Sequence, residues 1–226
     1  AQIVELSKKF FGQKSEVRSQ KSEAPTPDTR HPILLKQKRN LEQTHLLIAT
    51  PFVEAKSEKR YAAGLLASVL GGGTSSRLWQ KIREESGLAY SVGASIVPFR
   101  DCGIFQIFAA TSPENFLQTV DLSIAELKRI KREAIPDEEL QLAKDQLSAS
   151  LLLGLEDSSV HAANLASSEI THGRQISVAE TLENIEKVSV DDLQSLAHEF
   201  FRTENIALVG LGNFKKIKVE RSRLEI

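Results

Sequence analysis

Residues 89–98 and 103–110 are two runs rich in Val, Ile, Phe and Tyr, with Arg100-Asp101 between them. Two extended runs joined by so short a polar link predict an antiparallel hairpin. Further apolar, extended-type segments lie at 32–37, 43–50 and 206–210. The rest of the chain has helical periodicity. Tyr61, Leu65, Leu66, Val69 and Leu70 recur on one helical face, with Ser57 as the expected N-cap. After the hairpin, Ser112-Pro113-Glu114 places a cap and a first-turn proline ahead of the face Phe116, Val120, Ile124 and Leu127. Pro136-Asp137-Glu138-Glu139 opens the next helix, whose face is Leu140, Ala143, Leu147 and Leu151, and its acidic first turn suits the positive end of a helix dipole. Ser177 with Glu180, and Ser189 with Asp192, have capping-box spacing. Runs of strands and runs of helices without strict alternation predict an α+β fold, a mixed, mainly antiparallel sheet with helices packed on one face.

The chain has 226 residues, 41% hydrophobic and 26% charged, enough for a core that needs no staples. A net charge of −1 gives no field to attract nucleic acid or an anionic membrane, and every apolar run is too short for a membrane span. The single cysteine, Cys102, excludes an internal disulfide framework and fits a reducing compartment, which slightly favours a soluble, cytoplasmic protein over a periplasmic one. There is no methionine, and the chain starts inside an apolar stripe of Ile3, Val4, Leu6, Phe10 and Phe11 closed by Gly12. The expected organisation is a piece of a longer protein. Residues 1–12 read as the last helix of a missing part, 13–30 as a polar, proline-containing linker and 31–212 as the folded domain, while the tail 213–226 has no assignment.

Most conspicuous motifs fail as chemistry. Gly71-Gly72-Gly73-Thr74-Ser75-Ser76 lacks the Lys-Ser/Thr of a phosphate cradle and follows a helix rather than a strand. It reads instead as a helix stop with left-handed glycines, Ser75 or Ser76 capping the next helix. The five histidines are scattered, and His198-Glu199 is followed by Arg202 where a second zinc-binding histidine would have to stand. No metal ligands are expected in this chain. Cys102 has no histidine nearby in sequence and reads as a buried or inert thiol, and no Gly-x-Ser-x-Gly elbow occurs.

One segment remains, Ser75 to Tyr90. Arg83 lies one turn from a helix end at Gly87, and Tyr90 stands at the start of the next strand, so both can face one opening. By themselves these two residues read as a dipole partner and a half-buried ring. Their context adds more. Leu70-Gly71-Gly72-Gly73, Ser75-Ser76-Arg77-Leu78, Ile82-Arg83-Glu84-Glu85, Gly87-Leu88-Ala89-Tyr90-Ser91 and Thr111-Ser112-Pro113-Glu114-Asn115 together resemble the C-terminal half of insulinase/pitrilysin zinc peptidases, in particular bacterial members similar to the mitochondrial processing peptidase.

The resemblance implies two similar half-domains closing on an extended peptide. The N-terminal half carries an inverted His-x-x-Glu-His zinc motif, absent here. The C-terminal half supplies an arginine and, seven residues later, a tyrosine, the spacing of Arg83 and Tyr90. Arg83 is then expected to hold substrate carbonyls and Tyr90 to donate to an oxyanion. Zinc and its general base would come from the N-terminal half-domain in cis or from a partner chain in trans. This chain alone would cut nothing. The same fold also occurs as a non-catalytic structural subunit, the alternative expectation.

Overall fold

In the computed structural model, residues 32–214 and 217–226 are described. The expected helix over 2–11 and the linker over 13–30 lie outside the described residues. Five strands form one sheet: β1 (Ile33–Gln37), β2 (Thr44–Phe52), β3 (Ala89–Pro98), β4 (Gly103–Thr111) and β5 (Ala207–Gly212). Their order is β1-β5-β2-β4-β3, with β1 parallel to β5 and all other pairs antiparallel. The helices are α1 (Arg60–Gly71), α2 (Phe116–Arg132), α3 (Asp137–Gly154), α4 (Ser158–His172), α5 (Val178–Glu186) and α6 (Val190–Phe200). A short π-helix, Trp79–Glu85, joins α1 to β3. The fold is α+β.

Alternation along the strands explains the layers. On β2, Leu46, Ile48 and Phe52 are buried while His45 and Pro51 are exposed. On β4, Phe105, Ile107 and Ala109 face the same core. Leu65, Leu66, Val69 and Leu70 of α1, Phe116, Val120, Ile124 and Leu127 of α2, and Leu193 and Leu196 of α6 cover that face. The period of two in the strands meets the helical period in one apolar layer. Among the described residues, no helix packs on the opposite face of the sheet. No helix among the described residues is long and apolar enough to cross a membrane.

Several local expectations are corrected. The glycine run does not stop α1 in a left-handed conformation, because Gly72 has φ −78°. Its role is close approach: a Cβ on Gly71 would stand 2.0 Å from the backbone nitrogen of Ala94, so the end of α1 lies against β3 backbone to backbone. Ser76 does not cap the next helix, since its hydroxyl donates to the Gly73 carbonyl at 2.6 Å. Ser57 accepts from the Lys59 N–H in a turn ahead of α1 rather than capping it. Ser112 is used through its carbonyl, which accepts from Asn115 N–H in a turn, and α2 starts after that turn at Phe116. Ser189 and Asp192 do form a full capping box, and Ser177 caps α5 while Glu180 turns away to pair with Arg174.

Of the tail 213–226, unassigned by the sequence, the described residues 213–214 and 217–226 pack on the domain. Phe214 meets Phe116 edge-to-face at 5.0 Å, Leu224 is fully buried, and the Arg221 guanidinium donates to the carbonyls of Ile206 and Thr203.

Candidate functional site

The segment Trp79–Tyr90 is built by an unusual helix and the way it stops. The π-helical winding ends at Gly87, which has φ 62°. Gly87 N–H bonds the Arg83 carbonyl at 3.1 Å, the bond of a left-handed helix stop, and Leu88 N–H reaches the Ile82 carbonyl at 2.9 Å. A side chain with a Cβ strains at this φ, so glycine sets the reversal. Ile82 and Leu88 are buried and pin the turn to the core, and Thr111 anchors it again by donating its hydroxyl to the Leu88 carbonyl at 2.5 Å. π-helical turns of this kind occur disproportionately at functional sites.

The strand then bulges. Ala89 pairs with Thr111 and Ser91 with Ala110, leaving Tyr90 as the extra residue. Ala89 and Thr111 face the core, whereas Tyr90 is thrown outward and is 73% exposed. The expectation of a half-buried packing ring at this position therefore fails, because the bulge lifts Tyr90 off the edge strand.

The structure brings Arg83 and Tyr90 together. The Arg83 guanidinium lies over the Tyr90 ring at 5.2 Å and over the Trp79 ring at 4.1 Å. Trp79 is held in turn by its indole N–H, which donates to the Glu84 carboxylate at 2.9 Å. Contact with π faces is worth about 0.5–1 kcal/mol at an exposed site and leaves the N–H edge of a guanidinium available. Among the described residues, no carboxylate or carbonyl accepts from Arg83 and no group bonds the Tyr90 hydroxyl. The corner thus presents planar cationic donors beside a phenolic donor. Together they can grip carbonyl oxygens and stabilise charge on an oxygen.

Sequence reasoning passed over Trp79 and Glu84. The signal was present, since Trp79 and Arg83 are four residues apart and so share a helical face.

Arg77 is different in kind. It makes two parallel bonds to Glu139, 2.7 and 2.6 Å, and its side chain is only 9% exposed. It clamps the start of this segment to α3. Cys102 is exposed rather than buried, because it sits in the β3–β4 turn. Desolvation and the adjacent Asp101 push its thiol up, which disfavours the reactive thiolate.

Among the described residues, no three His, Cys, Asp or Glu side chains converge on a point where a metal could sit. Zinc needs three or four such ligands, so the described residues of this chain do not fit it.

The family model described as "Peptidase M16 inactive domain" matches residues 1–147. An uncharacterized zinc protease of Mycobacterium leprae is 34% identical over 229 aligned residues, which cover 100% of this chain and 51% of that protein. The chain therefore spans about half the length of relatives it matches. A solved peptidase M16 inactive domain from Pseudomonas fluorescens superposes with a TM-score of 0.72 at 20% identity, covering 84% of this chain and 45% of the other. A chain of Candida albicans complex III2 superposes with a TM-score of 0.77 at 20% identity, covering 87% and 50%. These likenesses agree with the resemblance carried by the motifs around Arg83 and Tyr90: the chain belongs to the peptidase M16 family, the insulinase/pitrilysin group, and represents its inactive, C-terminal half-domain.

Proposed function

We propose that this chain is the substrate-holding, oxyanion-stabilising half of a zinc metalloendopeptidase of the processing-peptidase type. One observation carries the reading: Tyr90, bulged off an edge strand with its hydroxyl unbonded among the described residues, lies beside the stacked guanidinium of Arg83. When water adds to a peptide carbonyl, that oxygen becomes an oxyanion. Tyr90 would donate a hydrogen bond to it, and the N–H edge of Arg83 would hold backbone carbonyls of the same extended peptide. Zinc would be held outside this chain's described residues, by an N-terminal half-domain in cis or by a partner chain in trans, and this chain alone would not cleave peptides.

The test is Tyr90→Phe in the protein joined to its zinc-bearing half. If the hydroxyl acts only in the transition state, kcat falls roughly 10²–10³-fold with KM little changed. The description of the matching family as an inactive domain favours a second reading, a non-catalytic structural subunit. Wild-type kinetics in Tyr90→Phe would promote that reading and remove the first.

A further inference from the structure

Of the α-helices among the described residues, α4 alone contains no buried residue. It is nonetheless well closed at both ends. The Asp157 carboxylate accepts from the Ser159 and Val160 N–H groups, and Gly173, with φ 69°, ends the helix. His161, Asn164, Leu165, Ser168 and His172 recur at helical spacing on one face of α4. That face lines a cleft of about 280 Å³, opposite the apolar side chains of Leu151, Leu155, Ile176 and Val178. Arg60 and Tyr61, from the first turn of α1, also line it.

The charges around this cleft are unbalanced. No Asp or Glu lines it, whereas Arg60 and two histidines do. The Arg60 guanidinium donates to the Ser57 carbonyl at 3.1 Å and to the Tyr61 hydroxyl at 2.8 Å, and among the described residues it pairs with no carboxylate. No hydrogen bond among the described residues engages the side chains of His161, Asn164 or His172. Acidic groups on the flanking segments are already taken, Glu180 by Arg174 and Glu169 by Gln175. Burial holds the proton off His172, and Arg60, Arg174 and Lys56 add to that effect while Glu180 opposes it.

We propose that this cleft binds a small monocarboxylate bearing one apolar group, with the carboxylate at Arg60 and His172 and the apolar group against Leu165 and Ile176. Charge complementarity selects the head group. A carboxylate supplies the acceptor that Arg60, His172 and Asn164 lack, and a single negative charge matches the single arginine in the lining. The walls select the tail, since Leu151, Leu155, Leu165, Ile176 and Val178 offer no partner to a polar one. The volume lies near the lower end of small-molecule sites, which run from about 300 Å³ upward, and suits one Leu- or Phe-sized group. Two sources have this chemistry, the C-terminal residue of a peptide and a free organic acid. The cleft shares no residue with the Arg83–Tyr90 corner, so the assignment stands apart from the function proposed above.

Calorimetry and histidine-resolved NMR of the chain test it, with phenylacetate, N-acetyl-Gly-Phe and N-acetyl-Gly-Phe amide as probes. Both acids are expected to bind at least roughly 10-fold more tightly than the amide, the worth of a charge-assisted bond. The pKa of His172 should rise when either acid saturates the chain, because a carboxylate favours the imidazolium. Arg60→Gln should erase most of the preference for acid over amide. Leu165→Asp should abolish acid binding, whereas Ile170→Asp, at a position 85% exposed on the other face of α4, should leave it nearly unchanged. Both positions lie on a helix with no buried residue, so the fold should survive either change. Tighter binding of N-acetyl-Gly-Phe than of phenylacetate assigns the cleft to peptide C-termini, and the reverse or equality assigns it to free acids. An amide that binds as tightly as the acids overturns the proposal. So does a His172 titration that neither acid moves, acid binding that survives Leu165→Asp, or no binding at millimolar acid.

Discussion

Trp79 holds Arg83 by its face rather than by a hydrogen bond, with the guanidinium carbon 4.1 Å from the indole ring centre. The two lie four residues apart on the same short π-helix, so the contact is local and does not depend on bound substrate. It fixes the plane of a cation whose donor edge has no partner among the described residues. An arginine held this way is already oriented for carbonyl oxygens, which lowers the entropy cost of binding.

Arg83→Lys is therefore expected to behave as a loss, not as a conservative change. An ammonium group is a hydrated point charge that neither stacks as a plane nor presents a fork. In the protein joined to its zinc-bearing half, KM should rise by about 10-fold, one charge-assisted bond's worth, with a smaller effect on kcat. Trp79→Ala should produce part of the same rise with Arg83 still present. Michaelis parameters for a peptide substrate check this, and an unchanged KM in both variants would refute the orienting role.

Gly71 and Gly64 lie in the same helix and should respond oppositely to alanine. At Gly71 the added methyl meets Ala94 nitrogen at 2.0 Å and Gly93 carbon at 2.6 Å, both backbone atoms of β3 that side-chain rotation cannot move. Gly71→Ala should destabilise the chain by roughly 1–3 kcal/mol or more, through overpacking. At Gly64 the nearest atom is Leu147 Cδ2 at 3.9 Å, an ordinary contact. Gly64→Ala should stabilise by about 0.5–1 kcal/mol, the helix preference of alanine over glycine. Urea unfolding midpoints of the two variants would show the sign in each case.

These two glycines also show what a sequence can carry. The run at Gly71-Gly72-Gly73 announces a helix end, but it does not say whether glycine is needed for a positive φ or for contact with a strand more than twenty residues away. The answer depends on the β3 backbone at Ala94 and is tertiary. Local signals fared better where the partner is local, as in the capping box of Ser189 and Asp192 and the acidic start of α3. The seven-residue spacing of Arg83 and Tyr90 was legible, and so was their closeness, with the guanidinium 5.2 Å from the ring centre. The bulge that exposes Tyr90 was not, because it arises from an offset against β4. The row of Leu34, Val209, Leu47, Phe108 and Gly93 on the sheet face away from the described helices was also hidden, since it is assembled from five strands whose registers no single segment specifies.

Glu126 predicts a pH dependence. It is 5% exposed on α2, and burial pushes its carboxyl up, with Arg129, Arg77 and Lys81 opposing the shift less strongly. The folded chain thus holds this proton more tightly than the unfolded chain. Its contribution is most favourable when the carboxyl is protonated, declines as pH rises from the ordinary value near 4.5 toward the raised folded value, and stays low above it. Glu126→Gln should therefore gain stability relative to wild type as pH rises through that window. Urea midpoints measured for both proteins from acid to neutral pH check the sign, and a gap that moves against the Gln variant would contradict it.

Arg77 and Glu139 supply a test of structure without chemistry. The pair is bidentate at 2.7 and 2.6 Å, with side-chain exposures of 9% and 25%, and it ties the segment before the π-helix to the first turn of α3. The remaining Arg77 nitrogen, Nη1, is buried without a hydrogen-bond partner, so the fork is already incompletely satisfied. Arg77→Ala leaves the Glu139 carboxylate without its cation and should cost roughly 3–5 kcal/mol. Arg77→Lys keeps the charge but loses one of the two parallel bonds, and should cost about 1–2 kcal/mol. Among the described residues neither side chain bonds Arg83 or Tyr90, so Arg77→Lys should leave kcat and KM nearly intact while lowering the urea midpoint. A loss of activity in Arg77→Lys at unchanged stability would place Arg77 within the substrate-binding machinery and overturn its assignment as a clamp.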